Sequence, residues 1–388
     1  MKLAENLYYV GVNDRHKTLF ENMLPLPHGV SYNSYLLVDD KVALIDTVEA
    51  PFAEQQLETI QRILNGRVVD YLIVNHMEPD HSSGIQALRM LYPQVQIVGN
   101  AKTLSMLQGF YGIADGLYEV KEGSELVLGK RTLRFYMTPM VHWPEVMMAY
   151  DVHNHILFSA DAFGCFGTLD AGILDTQLNL DMYWNEMYRY YANIVGKYGS
   201  PVQTALKKIC TLQLNMICST HGPVWTEHLA EALSLYDRMS RYEGEEGVVV
   251  VYGSMYGHTE QMAQAVARGA GEVCKNVLLY DISKTDSSVI VGDIFRYKGL
   301  ILGSPTYCND LFPPIKSLVD KLELRGLKNR VFGAFGSYTW AGAAVKEFVA
   351  FAERMKWETP PTVEIKQAMT SDQSEALVQL GRTIASQL

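Results

Sequence analysis

Two imidazoles and two carboxylates lie within six consecutive positions of the chain, at His76, Glu78, Asp80 and His81. Nitrogen and oxygen donors at this density can hold a metal ion, and four of them in one tight segment favour a site for two ions. A polar surface loop with solvated charges is the alternative interpretation. It explains a single histidine better than it explains all four groups, so we predict a metal site in this segment.

The elements around this segment are suited to positioning it. Residues 71–74 form a short apolar run rich in strand-forming residues, which predicts a buried strand. Residues 85–91 have helical spacing, and the serines before them predict a helix N-cap. The segment is therefore predicted to be a loop at the carboxyl end of a strand, where rigid elements can hold converging side chains.

Three further candidate ligands follow strand-like segments later in the chain. His142 comes after the strand-like residues 132–137, Asp161 directly after 156–160, and His221 directly after 216–220. Each alone could be structural, since a single histidine is more commonly a packed core residue. Their shared place at or near predicted strand ends favours one converging site. Glu145, close to His142, is either a group that supports a ligand or a surface charge.

Composition limits the classes of protein to be considered. The chain has 388 residues, of which 48% are hydrophobic and 20% charged, and this predicts a globular protein of two or three domains. Its net charge is −10 and it has no basic run, so nucleic acid is not an expected partner. No apolar stretch approaches the ~18 residues of a membrane helix, and the N-terminus lacks a signal peptide's apolar core. The five cysteines include no Cys-x-x-Cys pair, which favours a cytoplasmic location over a disulfide framework.

A second predicted domain begins after a charged, glycine-containing stretch at residues 241–247, which gives predicted domains 1–247 and 248–388. The β-branched run at 248–252 is typical of a central parallel strand. A helix is predicted shortly afterwards, and the loop before it offers hydroxyls, amide N–H groups and a helix dipole to a phosphate. The residues of this loop are Ser254, Met255, Tyr256, Gly257, His258 and Thr259. It contains no Gly-Lys pair, so it is not a P-loop, and neutral donors suit the monophosphate of FMN.

Two more loops follow predicted strands at 299–303 and 331–335. In doubly wound sheets, ligands bind outside the carboxyl ends of the strands. Tyr307 and Trp340 lie in these loops and can stack on a flat ring, although Trp340 alone could be a surface or dimer-contact aromatic. The residues predicted to bind the flavin here are Pro305, Thr306, Tyr307, Asn309, Ser337, Tyr338, Thr339, Trp340 and Gly342.

The motif His76-x-Glu78-x-Asp80-His81, followed by His142, Asp161 and His221, resembles the metal motif of the metallo-β-lactamase fold. Hydrolases of that fold usually have a histidine where this chain has Glu78. With the flavodoxin-like loops added, the whole chain resembles the flavodiiron proteins. The resemblance implies an α/β chain, with a metallo-β-lactamase-like αββα sandwich followed by a flavodoxin-like doubly wound domain. Because no four-cysteine module follows, the expected class is the simplest one, with two domains.

The resemblance also implies the cofactors, FMN and a pair of iron ions. One iron is expected at His76, Glu78 and His142, the other at Asp80, His81 and His221, with Asp161 as the bridge. Members of the family differ in whether the residue matching His81 binds metal directly. The family further implies a head-to-tail homodimer, alone or as a dimer of dimers, which brings the FMN of one subunit near the irons of the other. Its electron donor would be a rubredoxin or a reduced deazaflavin.

The function implied is reduction of dioxygen to water, or of nitric oxide to nitrous oxide, with electrons delivered through FMN. Residues 181–195 are predicted to form a long helical tract. His28, and Tyr190 and Tyr191 in that tract, are candidates for lining the gas pocket, although aromatic residues in such a tract are more commonly only packed. A zinc hydrolase with an accessory flavodoxin domain is an alternative that Glu78 disfavours. A pure electron carrier is another, which the seven ordered ligand-type residues disfavour.

Overall fold

The computed structural model describes all 388 residues and divides them into two compact units. The first comprises Met1–Tyr190 and Ser200–Asp237, and the second comprises Tyr191–Gly199 and Arg238–Leu388. The predicted boundary at residue 247 lies inside the strand Glu245–Tyr252, and the compact units divide at Asp237 and Arg238 instead. None of the helices combines the length and the apolar character needed to cross a membrane.

The first unit is rich in short strands. They are β1 (Lys2–Ala4), β2 (Leu7–Tyr9), β3 (Val12–Asp14), β4 (Leu19–Phe20), β5 (Leu24–Pro25), β6 (Val30–Tyr32), β7 (Tyr35–Val38), β8 (Val42–Ile45), β9 (Tyr71–Ile73), β10 (Gln96–Gly99), β11 (Leu117–Glu119), β12 (Glu125–Val127), β13 (Thr132–Met137), β14 (Met147–Asp151), β15 (Ile156–Phe158) and β16 (Met216–Cys218). Its helices are α1 (Ala53–Leu64), α2 (Pro79–Ser82), α3 (Ile85–Leu91), α4 (Ala101–Tyr111), α5 (Asp181–Tyr190), α6 (Gly199–Ile209) and α7 (Leu229–Ser240), the last of which runs into the second unit.

Most of these strands form two sheets. One has seven strands in the order β1-β2-β7-β8-β9-β10-β11, and the other has five in the order β12-β13-β14-β15-β16. The first half of the seven-stranded sheet is antiparallel, whereas β8 to β11 are parallel and joined by helices. Two small hairpin-like pairs, β3 with β6 and β4 with β5, lie outside the two sheets.

The side chains of the seven-stranded sheet alternate between two layers, as the two-residue period of a strand requires. Leu36, Leu44 and Leu72 belong to one buried apolar cluster with Ile60 of α1 and Leu88 of α3. On the other side, the ring of Tyr35 lies 5.6 Å from the ring of Phe158 in the five-stranded sheet. Helices thus cover the outer face while the two sheets pack face to face, which confirms the predicted metallo-β-lactamase-like sandwich.

The second unit contains a mostly parallel sheet with helices on both faces. Its strands are β17 (Glu245–Tyr252), β18 (Val277–Asp281), β19 (Tyr297–Tyr307), β20 (Asp310–Leu311), β21 (Val331–Tyr338) and β22 (Thr362–Lys366). Its helices are α8 (His258–Gly271), α9 (Ser287–Arg296), α10 (Pro313–Arg325), α11 (Ala344–Met355) and α12 (Ser371–Ala385). The strand order β18-β17-β19-β21-β22, all parallel, is that of a flavodoxin-like doubly wound fold and confirms the prediction.

Three local expectations turn out differently. Asp80 and His81 lie on the one-turn helix α2 rather than in an irregular loop. The residue at the N-cap of α3 is Gly84, and no serine side chain caps the helix. The helical tract predicted for residues 181–195 is an α-helix only as far as Tyr190, after which Tyr191–Val195 forms a π-helix.

Candidate metal centre and flavin pocket

All seven predicted ligands meet in the first unit. They form two groups in which one donor atom of each residue lies within 4.8 Å of the others, namely His76 with Glu78, His142 and Asp161, and Asp80 with His81 and His221. The loops after β9, β15 and β16, the helix α2 and the connection from β13 to β14 supply these residues. The side chains converge because these parallel and antiparallel strand ends meet at one edge of the paired sheets.

Asp161 lies between the two groups. Its Oδ2 atom is 3.1 Å from Nε2 of His142 and 3.6 Å from Nε2 of His76. Its Oδ1 atom is 3.2 Å from Nε2 of His81 and 4.0 Å from Nε2 of His221. Each carboxylate oxygen therefore faces a different group, as a ligand shared by two metal ions requires.

Several of these donor atoms face one another at short distances. The Nε2 atoms of His81 and His221 are 3.1 Å apart, and those of His76 and His142 are 3.4 Å apart. Both carboxylate oxygens of Asp80 and Oδ2 of Asp161 are buried without a hydrogen-bond partner. Buried polar atoms are normally paired, so converging lone pairs of this kind indicate that the atoms are placed for cations.

Two histidine rings are held in place by hydrogen bonds at Nδ1, the ring nitrogen that does not face the other ligands. Nδ1 of His76 donates to Oε1 of Glu145 (2.8 Å), and Nδ1 of His221 donates to the carbonyl oxygen of Ser31 (2.7 Å). A carboxylate and a carbonyl can only accept, so in both rings Nε2 keeps its lone pair for a metal. Glu145 is fully buried, which excludes the surface-charge interpretation and makes it a supporting group.

The backbone before His76 is also fixed by a buried carboxylate. Asp46, directly after β8, accepts hydrogen bonds from the amides of Asn75 (2.8 Å) and His76 (3.3 Å). Burial raises the pKa of the Asp46 carboxyl to about 7. The strand β8 thus positions the metal motif without contributing a ligand to it.

Electrostatic effects within the cluster favour positive charge at its centre. Burial alone would lower the pKa of the His142 imidazole, but the nearby Asp161 and Glu78 carboxylates outweigh it and raise that pKa to about 9. In the same way Asp80 and Asp161 raise the pKa of His81 to about 9. Burial would raise the pKa of Asp161, yet the imidazoles hold it well below its ordinary value. A divalent cation would supply the same compensation and release protons on binding.

Aromatic rings enclose the two groups differently. Trp143 packs edge-to-face on His76, with ring centroids 5.4 Å apart. Phe20 and Tyr190 lie 5.6 Å and 5.7 Å from the ring of His221. The Tyr190 hydroxyl is buried and has no hydrogen-bond partner, so it is a free donor next to the cluster.

The other two predicted pocket residues are Tyr191 and His28. Tyr191 belongs to the second compact unit, because the chain passes between the units at this point. His28 is exposed, and its recorded contact is a backbone one, in which its carbonyl oxygen accepts from the Thr168 amide. No contact places its imidazole at the cluster, so its role stays a prediction.

One neighbour of the cluster, Glu21, is not predicted by the sequence analysis. It follows Phe20 in the turn between β4 and β5, with φ of 50°. Partial burial and the neighbouring Glu78 carboxylate raise the pKa of the Glu21 carboxyl to about 7. An isolated glutamate in a polar turn has no motif, so only the fold reveals its position.

The donor set suits iron. Four imidazoles and three carboxylates divide into two equivalent sets of two nitrogens and one carboxylate, with Asp161 shared. Zinc sites more commonly use nitrogen- and sulfur-rich sets, whereas mixed imidazole and carboxylate sets with open positions are typical of non-haem iron.

The second unit contains a cavity of 550 Å³ at the carboxyl ends of its strands. This volume is in the range of pockets that bury a cofactor-sized ligand. The residues that line it are Ser254, Met255, Tyr256, His258, Thr259, Pro305, Thr306, Tyr307, Cys308, Asn309, Ser337, Tyr338, Thr339, Trp340, Ala341 and Gln367. The three predicted loops therefore meet around one cavity.

One end of this cavity is suited to a phosphate. Helix α8 begins at His258, and its N-cap residue Gly257 has φ of 92° and no side chain that could occupy the space before the helix. Oγ of Ser254 accepts from the Gly257 amide, and Oγ1 of Thr259 is 2.9 Å from Oγ of Ser337. Hydroxyls and free helix N–H groups without a lysine fit a monophosphate such as that of FMN.

Two predicted pocket residues do not line the cavity. Gly257 shapes the turn instead, and a Cβ at Gly342 would lie 2.7 Å from the carboxylate oxygens of Glu364. Three lining residues were missed, Cys308, Ala341 and Gln367. Cys308 and Ala341 could have been found because each lies between two predicted pocket residues, and Gln367 because it directly follows the strand β22.

Comparisons with known proteins agree with both sites. Residues 30–222 match the family described as ODP family beta lactamase, and residues 250–381 match the flavodoxin family. A nitric oxide reductase from Moorella thermoacetica is 31% identical over 392 residues, covering 100% of this chain and 98% of that protein.

Solved structures give the same result for the fold. Rubredoxin oxygen:oxidoreductase from Desulfovibrio gigas superposes with a TM-score of 0.94 at 29% identity, covering 100% of this chain and 98% of that one. The flavodiiron protein from Giardia intestinalis superposes with a TM-score of 0.93 at 27% identity, covering 99% of this chain and 95% of that one. The chain is therefore a member of the flavodiiron family of oxidoreductases, whose cofactors are FMN and a pair of iron ions.

Proposed function

We propose that this protein reduces a small diatomic gas, dioxygen or nitric oxide, at an iron pair held by the seven clustered side chains. The observation that carries the proposal is the position of Asp161, which presents one oxygen to each group of ligands. His76, Glu78 and His142 would hold one iron, and Asp80, His81 and His221 the other. The relatives named nitric oxide reductase and rubredoxin oxygen:oxidoreductase support both gases.

The cofactors supply the electrons, since FMN and the iron pair together store the four needed for dioxygen and more than the two needed for two nitric oxide molecules. The protein's own contribution is to place the ligands, restrict access and donate hydrogen bonds. Glu78, His142 and Asp80 keep 8%, 6% and 6% of their surface exposed, whereas the other three histidines have none. Gas is therefore expected to enter where Glu78, Asp80 and His142 reach the surface.

Tyr190 is the residue best placed to act on the bound gas. Its hydroxyl is buried and unpaired beside the cluster, and burial and the nearby carboxylates, Asp161 first among them, hold its pKa well above the ordinary tyrosine value. It therefore stays protonated and can donate a hydrogen bond to a negatively polarised substrate oxygen.

The cavity of the second unit would hold FMN, with the phosphate at the start of α8 and the ring near Tyr307 and Trp340. Trp340 is 87% exposed and Tyr256 is 89% exposed, so the pocket has an apolar rim that a ligand or a second subunit could cover. This supports a head-to-tail homodimer, alone or as a dimer of dimers. A rubredoxin or a reduced deazaflavin would donate the electrons, and the five unpaired cysteines support a cytoplasmic location.

The test is a pre-steady-state experiment on the protein loaded with iron and FMN. The protein is fully reduced without oxygen, mixed with dioxygen or with nitric oxide, and flavin reoxidation is followed by stopped-flow absorbance. Reoxidation by one or both gases much faster than that of free FMN is expected, and the faster gas is the preferred substrate. If neither gas reoxidises the protein's flavin faster than it reoxidises free FMN, the proposal is contradicted.

The metal content separates the proposal from its alternative. Two irons and one FMN per chain are expected after purification from iron-replete cells, measured by inductively coupled plasma mass spectrometry and flavin absorbance. Two zinc ions with hydrolysis of a thioester and no gas-dependent reoxidation would instead support the hydrolase.

A further inference from the structure

The two groups of ligands are chemically equivalent in the atoms that face the metals. Each has two imidazoles and one carboxylate of its own, and they share Asp161. If the two iron positions favour different oxidation states, the difference must therefore come from the groups behind the ligands. Partners of this kind tune the basicity of a ligating imidazole.

The groups behind the ligands are not equivalent. Behind His76 stands the fully buried carboxylate of Glu145, whose Oε1 accepts from Nδ1 of His76 and from the amide of Met77 (2.9 Å). Behind His221 stands a neutral group, the carbonyl of Ser31. The Nδ1 atom of His81 is buried with no hydrogen-bond partner.

Glu145 is also enclosed. Its Oε2 atom is buried without a partner, and no lysine or arginine pairs with its carboxylate. Its charge is therefore compensated only by the His76 ring, the Met77 amide and whatever cation that ring binds. In a poorly polarisable interior, such a charge acts strongly on a nearby ion.

We propose that Glu145 is a positioning residue that controls which iron is reduced first. When the iron pair carries a single added electron, the iron held by His76, Glu78 and His142 remains ferric. An imidazole that donates to a carboxylate is a stronger electron donor, and the extra negative charge favours the more highly charged ion. The added electron then resides on the iron held by Asp80, His81 and His221. This inference rests on the proposed iron pair.

The test uses the intact protein loaded with ⁵⁷Fe and reduced by dithionite with one electron per iron pair. Mössbauer spectroscopy first shows whether an iron pair is present, so failure of the proposed function is recognised before the inference is tested. Glu145→Gln is expected to raise the midpoint potential of the diferric to one-electron-reduced couple and to change the ferric signal more than the ferrous one. Glu145→Asp, which keeps the charge, should restore much of the shift.

The matched control is Asp46→Asn. Asp46 is buried and touches the same segment, but only through backbone amides. Each substitution replaces a buried carboxyl group by an amide of the same shape, and both variants are compared at the same pH and ionic strength. A potential shift in Glu145→Gln no larger than in Asp46→Asn would show that Glu145 only holds the ring in place, and would overturn the inference.

A second variant keeps the test decisive if Glu145→Gln loads iron poorly. His81→Ala removes a ligand from the side expected to be ferrous. In the one-electron-reduced protein it should alter the ferrous Mössbauer signal and leave the ferric one nearly unchanged. A change confined to the ferric signal would assign the valences the other way and contradict the inference.

Discussion

The seven ligand-type residues of the metal centre are at most 8% exposed, whereas Tyr256 and Trp340 at the flavin pocket are 89% and 87% exposed. The metal centre is closed and consists almost entirely of side-chain atoms held by further side chains behind them. The flavin pocket is open, and its phosphate end consists largely of backbone, namely strand ends, a helix N-terminus and the turn at Gly257.

This difference teaches how each site should respond to substitution. A centre made of side-chain ligands has no substitute for a lost donor, because each ligand atom belongs to one side chain that a substitution removes. A pocket made of backbone N–H groups keeps those groups when side chains change. We therefore expect single substitutions to disrupt the metal centre and only to weaken flavin binding.

The largest effect is expected for Asp161→Asn. The amide keeps one oxygen but loses the negative charge and the second ligand atom, so both irons lose a shared donor. Since removing a partner behind a ligand costs about 10–100-fold in metal affinity, losing the bridge should cost more than ~100-fold. Iron per chain, measured by mass spectrometry, should fall while FMN content stays unchanged.

The matched control for Asp161→Asn is Thr220→Val. Oγ1 of Thr220 donates to Oδ1 of Asp161 (2.6 Å), so this variant removes a support and keeps the bridge. It should weaken iron binding by about 10–100-fold at most. Full iron occupancy in Asp161→Asn would show that the bridge is not needed and would remove the contrast with the flavin pocket.

A smaller effect is expected for Tyr190→Phe. A hydrogen bond to a polarised substrate oxygen contributes roughly 1.5–3 kcal/mol, so gas-dependent flavin reoxidation should slow by about 10–100-fold. Iron and FMN contents should not change, because the hydroxyl has no partner in the protein. Tyr191→Phe, in the second unit, should leave the gas reaction unchanged, and equal slowing in both variants would contradict a specific role for Tyr190.

The same contrast explains what could be predicted from the sequence. Metal ligands need particular atom types, so His76, Glu78, Asp80 and His81 were visible as a motif before any fold was known. Supporting groups need only the right place, and so Glu145 stayed ambiguous and Glu21 was missed. The parallel sheets were predictable because apolar runs and periodic segments alternate along the chain.

Local geometry was less predictable for physical reasons. Tyr190 and Tyr191 are adjacent identical residues, but Tyr190 ends an α-helix in the first unit and Tyr191 begins a π-helix in the second. The strand order also decides that Gln367 lines the flavin pocket, because β22 pairs with β21 and Gln367 directly follows β22. Residues that act through position rather than chemistry are therefore the ones that a sequence conceals.

In the flavin pocket, the backbone at Gly257 should matter more than the side chains. Its φ of 92° is strained for any residue with a Cβ, although no atom lies within 4 Å of where that Cβ would be. Gly257→Ala should therefore cost about 1–2 kcal/mol in the bound loop conformation and weaken FMN binding roughly 5–30-fold. The dissociation constant is measured by fluorescence titration of the FMN-free protein with FMN.

Gly271→Ala is the matched control for the glycine change. Gly271 lies in the same helix α8, also has open space around its Cβ position, and has no left-handed backbone. It should leave FMN binding unchanged and leave stability unchanged or slightly higher. Equal weakening of FMN binding by both variants would show that helix stability, not the turn, determines the phosphate site.

The smallest effect is expected for the aromatic rim. Stacking of a ring on Trp340 contributes roughly 0.5–1.5 kcal/mol, so Trp340→Ala should weaken FMN binding by about 2–12-fold. Trp340→Phe keeps a flat ring and should recover most of this loss, whereas iron content should be unaffected in both. If Trp340→Ala instead releases FMN as completely as Asp161→Asn releases iron, flavin binding depends on one side chain after all, and the distinction between a side-chain centre and a backbone pocket fails.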